Sequence, residues 1–222
     1  MAFQTASKGS FPLLGERLLA CVAEHGSAAH SYTQSDELLR GPDAWRNLSD
    51  AVHLICTLHG RHPGVIDHAQ GRTVDPAVAS WFTEATDAFA AERSFLARLA
   101  VAAGPIPSTP GASDNQAAVL AQRHALEMLA QSERSGCALG AAFAVAVDWV
   151  WVRNVLDVAA TRFGVEAPHY LLKDTNRTGE IADLPQAAAS ERALLFGAEQ
   201  IATQHHALWD LLEARQQARA AA

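Results

Sequence analysis

Four polar residues stand where oily side chains are expected. Glu92, Gln122, Asp148 and His205 each fall on the apolar stripe of a different predicted helix. Burying carboxylates, an amide and an imidazole is costly unless they pair or bind something. Together they could hold a divalent metal or a small ligand, because carboxylate and imidazole supply hard and borderline donors. They could equally form a hydrogen-bonded network that fixes helix register. Both readings stay open from the sequence. If the cluster is purely structural, Asp148→Leu is expected to be tolerated, since an apolar side chain can refill the space.

A second group is local. His53, His59, His62 and His68 lie close together with Asp67, and His59-x-x-His62 straddles a predicted helix end. Converging rings there would suit a metal such as zinc, so His59, His62 and His68 are metal candidates. The spacing matches no zinc signature and has no Cys partner. A core histidine with polar loop residues is the alternative.

The elements that must position these residues are helical. Ala, Leu, Glu, Gln and Arg dominate, and strand-type alternation is nearly absent. Helices are expected over 13–24, 28–39 and 42–59, the third with Trp45, Leu48, Val52, Ile55 and His59 on one face. Residues 60–74 read as a Gly- and His-rich loop. Asp75-Pro76 then starts a helix running to about Ala103. Further helices are expected from Ser113 or Asp114 to about Gly136, over 137–163, and over 190–219. A connection, 165–188, precedes the last; links of this length often cover a site.

Wheel positions place Glu92 among Phe82, Ala85, Phe89, Leu96 and Leu99. Gln122 falls between Ala118 and Leu126, Asp148 among Ala144, Val145 and Val152, and His205 between Ile201 and Leu208. Arg153, Asn154 and Asp157 fall on the opposite, polar face of their helix. Counting from the turns at about 1.5 Å per residue brings the four polar residues to similar heights.

This arrangement resembles the ferritin-like superfamily over about residues 76–219. Its four-helix bundles hold paired metals with one Glu from each of two helices and a Glu-x-x-His from each of the others. The resemblance implies an all-α, ferritin-like up-down bundle with additional N-terminal helices, forming a single domain over 1–222. It matches Glu92 and Asp148 to carboxylate ligands and His205 to the histidine. None of the four expected bundle helices carries a Glu-x-x-His, so no stoichiometric di-iron centre is expected.

Composition narrows the partners. A formal charge of −7 with no basic cluster argues against nucleic acid and anionic membranes. Cys21, Cys56 and Cys137 are odd in number and widely spaced, which suggests unpaired thiols in a reducing compartment. The first fifteen residues lack a signal-peptide pattern, and the longest apolar run is broken by Asp148. A cytoplasmic protein is expected. Its leading functional reading is a helical bundle with an atypical or vestigial central polar site. The alternatives are a metal-dependent oxidase, a heme-oxygenase-like or thiaminase-like enzyme binding a small organic molecule, and a helical module that forms a homodimer.

Overall fold

The computed structural model describes residues 13–73, 75–172 and 188–221, and no strand occurs among them. The chain is all-α. Among the described residues the helices are α1 (Leu14–His25), α2 (Asp36–Leu39), α3 (Ala44–His59), α4 (Val65–Arg72), α5 (Ala79–Ala103), α6 (Ala112–Ala130), α7 (Cys137–Phe163) and α8 (Ala188–Ala220).

α7 is the axis of the molecule. Its apolar composition and 27 residues would suit a membrane span, but 78% of its most apolar window is buried inside the protein. Left-handed glycines punctuate both of its ends, Gly136 before it and Gly164 after it. Gly140 explains how closely α7 meets α8. A Cβ there would overlap the Leu194 carbonyl, and one on Gly197 of α8 would overlap the Cys137 carbonyl. These two glycines let the backbones touch, and the α7–α8 pair is the most extensive contact in the fold.

A 3-10 turn, Pro76–Val78, leads into α5; Asp75 Oδ1 accepts the Ala77 N–H and Pro76 is the turn's first residue. Phe82, Ala85, Phe89, Leu96 and Leu99 are all buried along it, as the stripe requires. The helices around α7 are arranged differently from expectation. α5 and α6 scarcely touch, although only a short Pro-rich link joins them. α3 and α4 fill the space between them, each packing on α5, α6 and α7. The N-terminal region is therefore built into the bundle and does not lie against one side of it. Leu48, Val52 and Ile55 of α3 are accordingly buried, whereas Trp45 at its start is 47% exposed.

Two local expectations also change. The stretch 28–39 is not one helix; short 3-10 turns at Ser27–Ala29 and Ser31–Gln34 precede the four-residue α2. Ser and Thr side chains here bond nearby backbone groups, which competes with a helix. The expected loop 60–74 contains α4. Its start is set by Asp67, which accepts the Gly64 N–H at 2.7 Å, and by burial of Val65, Ile66 and Ala69. An eight-residue helix with this polar composition draws its stability from packing rather than propensity. Of the connection 165–188, residues 173–187 lie outside the described part.

Candidate functional site

Glu92, Asp148 and His205 are each 1% exposed, and they belong to two neighbouring networks. The first is a buried ion pair. Glu92 Oε1 accepts from Arg153 Nη1 at 2.5 Å, and Oε2 accepts from Trp149 Nε1 at 2.9 Å. Burial pushes the Glu92 carboxyl above its usual pKa, while the Trp149 N–H and the Arg153 guanidinium pull it back. Arg153 also reaches Asp157 and the Pro168 carbonyl, and its guanidinium lies 4.5 Å from the centre of the Phe95 ring. It ties α5, α7 and the segment after α7 into one unit.

The second network is a chain of hydrogen bonds. Asp148 Oδ1 accepts from the Ser27 backbone N–H at 2.8 Å, and Oδ2 accepts from the Ser27 hydroxyl at 2.5 Å. Trp209 Nε1 donates to the same hydroxyl at 2.8 Å. Asp148 Oδ2 also meets His205 Nδ1 at 2.7 Å, and His205 Nε2 meets His59 Nε2 at 2.9 Å. A carboxylate only accepts, so His205 carries a proton on Nδ1. The two Nε2 atoms share a single proton. Burial, and then the neighbouring His205, push the His59 pKa well below its usual value, so His59 is neutral at pH 7. Its ring stands edge-on to both Trp149 and His205, which places it between the two networks.

Each link comes from a different element: Ser27 from the turn after α1, Asp148 from α7, His205 from α8 and His59 from the end of α3. The turn can approach because residue 26 is glycine; a Cβ there would overlap Asp148 Oδ1. His59 lines a narrow cleft of about 20 Å³ with Arg61, Gly64, Arg123 and Glu127. Arg123 Nε is buried and makes no hydrogen bond; Glu127 Oε1 lies 3.6 Å from it as an ion-pair partner.

Gln122 stands apart from both networks. Its Nε2 donates to the Gln204 carbonyl at 3.3 Å, and its Oε1 has no partner. His59, His62 and His68 do not converge. His59 turns inward to His205, because α4 draws the following chain away. The exposed His62 sits beside Arg93 and Asp67 instead, and His68 lies on α4. All oxygens of Glu92 and Asp148 are engaged by protein donors.

A further charged cluster lies around the C-terminal end of α8. Asp50 of α3 is 1% exposed and binds Arg215 at 2.7 Å together with Arg219. Thr109 and Asn47 take further guanidinium hydrogens. The thiols of Cys21 and Cys56 are held above their usual pKa, chiefly by burial, and all three cysteines are free.

Residues 22–220 match the model of a protein family described as a family of unknown function (DUF6975). The chain belongs to that family. No curated protein and no solved structure matches it. Function has to be read from the site itself.

Proposed function

We propose that the protein binds a small anionic molecule beside His59 and transfers a proton there, with Asp148 and His205 orienting the imidazole. One observation carries this reading. The buried chain from Trp209 through Ser27, Asp148 and His205 ends at a neutral imidazole in a cleft that holds two arginines, one of them with a buried Nε–H that makes no hydrogen bond and has Glu127 at 3.6 Å. Buried donors without acceptors are rare enough to ask for a ligand or an ordered water. The cleft has room for about one water-sized group, which suits a single oxygen of a carboxylate or phosphate, with the rest of the molecule outside. A carboxylate–imidazole pair that fixes the next proton's position is a recognised way to prepare a general base.

Two features support a ferritin-like kinship: the run of four long helices, α5–α8, and the long link before the last. The engaged carboxylates do not suit the oxidase chemistry attached to it. Arg153 already neutralises Glu92, and Asp148 is fully engaged by Ser27 and His205. The Glu92–Arg153 half of the core acts as an architectural lock.

The test is a titration of protein labelled with ¹⁵N in histidine and arginine, using acetate, formate and inorganic phosphate. Saturable shifts of His59 and of Arg123 Nε–H, lost in Arg123→Gln, are expected. Signals that stay unmoved with all three anions would refute the reading.

A further inference from the structure

The turn that offers Ser27 to Asp148 carries a second cluster on its other side. His30, His206 and Asp210 each bring one ligand-type atom within 4.8 Å of the others. His206 and Asp210 are four residues apart on α8 and so share a face. His30 comes from between the two 3-10 turns, its ring centroid 4.7 Å from that of His206. His30 is buried, His206 is half-buried and Asp210 is exposed, so the cluster opens to solvent on the carboxylate side. It is the only such His, Cys, Asp or Glu group of three among the described residues.

The hydrogen bonds orient His206 for coordination. Its Nδ1 faces the Gly26 carbonyl at 3.3 Å. A carbonyl only accepts, so Nδ1 carries the proton and Nε2 keeps a lone pair. Metal-binding histidines use the same device, donating the other ring N–H to a backbone carbonyl. Two imidazoles and a carboxylate form a borderline donor set, suited to zinc and its neighbours rather than to calcium or magnesium.

We propose that His30, His206 and Asp210 form a binding site for a borderline divalent transition-metal ion such as Zn²⁺, with solvent completing the coordination. The proposal does not depend on the reading of His59. His30 sets the expected affinity. Its Nδ1 accepts the Tyr32 N–H at 3.2 Å, so its own proton lies on Nε2 and faces Asp210 Oδ1 at 3.1 Å. To ligate through Nε2, the ring must move that proton to Nδ1 and give up the Tyr32 contact. Binding is therefore micromolar rather than as tight as a structural zinc site.

The site also has a built-in reporter. The Gly26 carbonyl that faces His206 and the Ser27 N–H that faces Asp148 belong to one peptide group. A cation on His206 strengthens Nδ1–H as a donor, polarises that peptide and moves the Ser27 amide resonance.

The experiment is calorimetric titration of the untagged, EDTA-treated full chain with Zn²⁺, alongside amide NMR. One ion per chain with a micromolar Kd and a shifted Ser27 amide are expected. His206→Gln and Asp210→Asn lie near the surface and should leave the fold's melting unchanged. Each should weaken binding by about 10-fold or more, whereas the double variant His62→Gln/His68→Gln should bind like wild type. Absence of saturable binding would overturn the proposal. So would binding that persists undiminished in both α8 variants, or binding lost with His62 and His68.

Discussion

Replacement of Asp148 tests the buried hydrogen-bond chain most directly. The carboxylate receives the Ser27 N–H, the Ser27 hydroxyl and His205 Nδ1–H. In Asp148→Ala two of these donors have an escape. The hydroxyl can rotate, and His205 can move its proton to Nε2 and hand it to His59. The backbone N–H has none, and stranding it costs about 1–3 kcal/mol. Losing the hydroxyl and imidazole bonds adds about 0.5–1.5 kcal/mol each, so a total of about 2–6 kcal/mol is expected. Asp148→Leu belongs in the same range. Leucine restores volume but accepts no hydrogen bond, which reverses the tolerance expected from sequence for a purely structural cluster. Asp148→Asn should cost less, since its carbonyl oxygen can keep the Ser27 N–H while its amide donates to His205. That donation forces His205 to hold its proton on Nε2. Urea unfolding should rank the variants with asparagine mildest and with alanine and leucine similar, at an unchanged m-value. Two-bond ¹⁵N imidazole spectra should show the His205 proton on Nδ1 in wild type and on Nε2 in Asp148→Asn. Wild-type stability in Asp148→Leu, or an unchanged His205 tautomer in Asp148→Asn, would refute this account.

Other expectations follow from the same contacts. Since His59 is depressed in the folded state, its contribution to stability is complete above its unfolded pKa of about 6.5 and is lost as pH falls through the folded value. The loss runs at up to about 1.4 kcal/mol per pH unit; acid-side melts of His59→Gln should be flatter by that amount, and parallel curves would contradict it. Arg153→Ala should destabilise by about 3–5 kcal/mol, because it leaves the Glu92 carboxyl in the core without its cation; a urea midpoint near wild type would show the pair to be dispensable. Gly140→Ala should push α7 from α8 and cost about 1–3 kcal/mol, whereas alanine at Gly71, where nothing lies near the added methyl, should be neutral in the same thermal melt.

The helical period made half of the site visible. Glu92, Asp148 and His205 stood out because each has a short side chain whose direction the wheel fixes, and each interrupts an apolar stripe. Arg153 escaped notice for the opposite reason. Its Cα lies among Asn154 and Asp157 on the polar side of α7, but its long side chain carries the guanidinium to Glu92. Asp50 and Arg215 were equally hidden, since a pair 165 residues apart in the chain leaves no local pattern. Ser27 gave no signal, being a small residue in the short gap between two expected helices.

What the wheel could not supply was the order of packing. Short links imply that neighbours in sequence pack together, and on that basis α5 and α6 should meet. They are held apart because α3 presents buried residues on more than one side: Leu48, Asn47, Ala51 and Ile55 are all nearly inaccessible. A helix with polar Asn47 and Asp50 on one side reads as a surface helix until the arginines of α8 are known to reach them. The same insertion decides the chemistry. Because α3 runs through the bundle, its last residue, His59, arrives at His205, and the histidine on its apolar face becomes the end of the Asp148 chain. Had α3 packed on one side, as the local pattern suggests, His205 Nε2 would face the bundle interior without a partner. The inserted helix therefore extends the hydrogen-bond chain from Asp148 through His205 to His59.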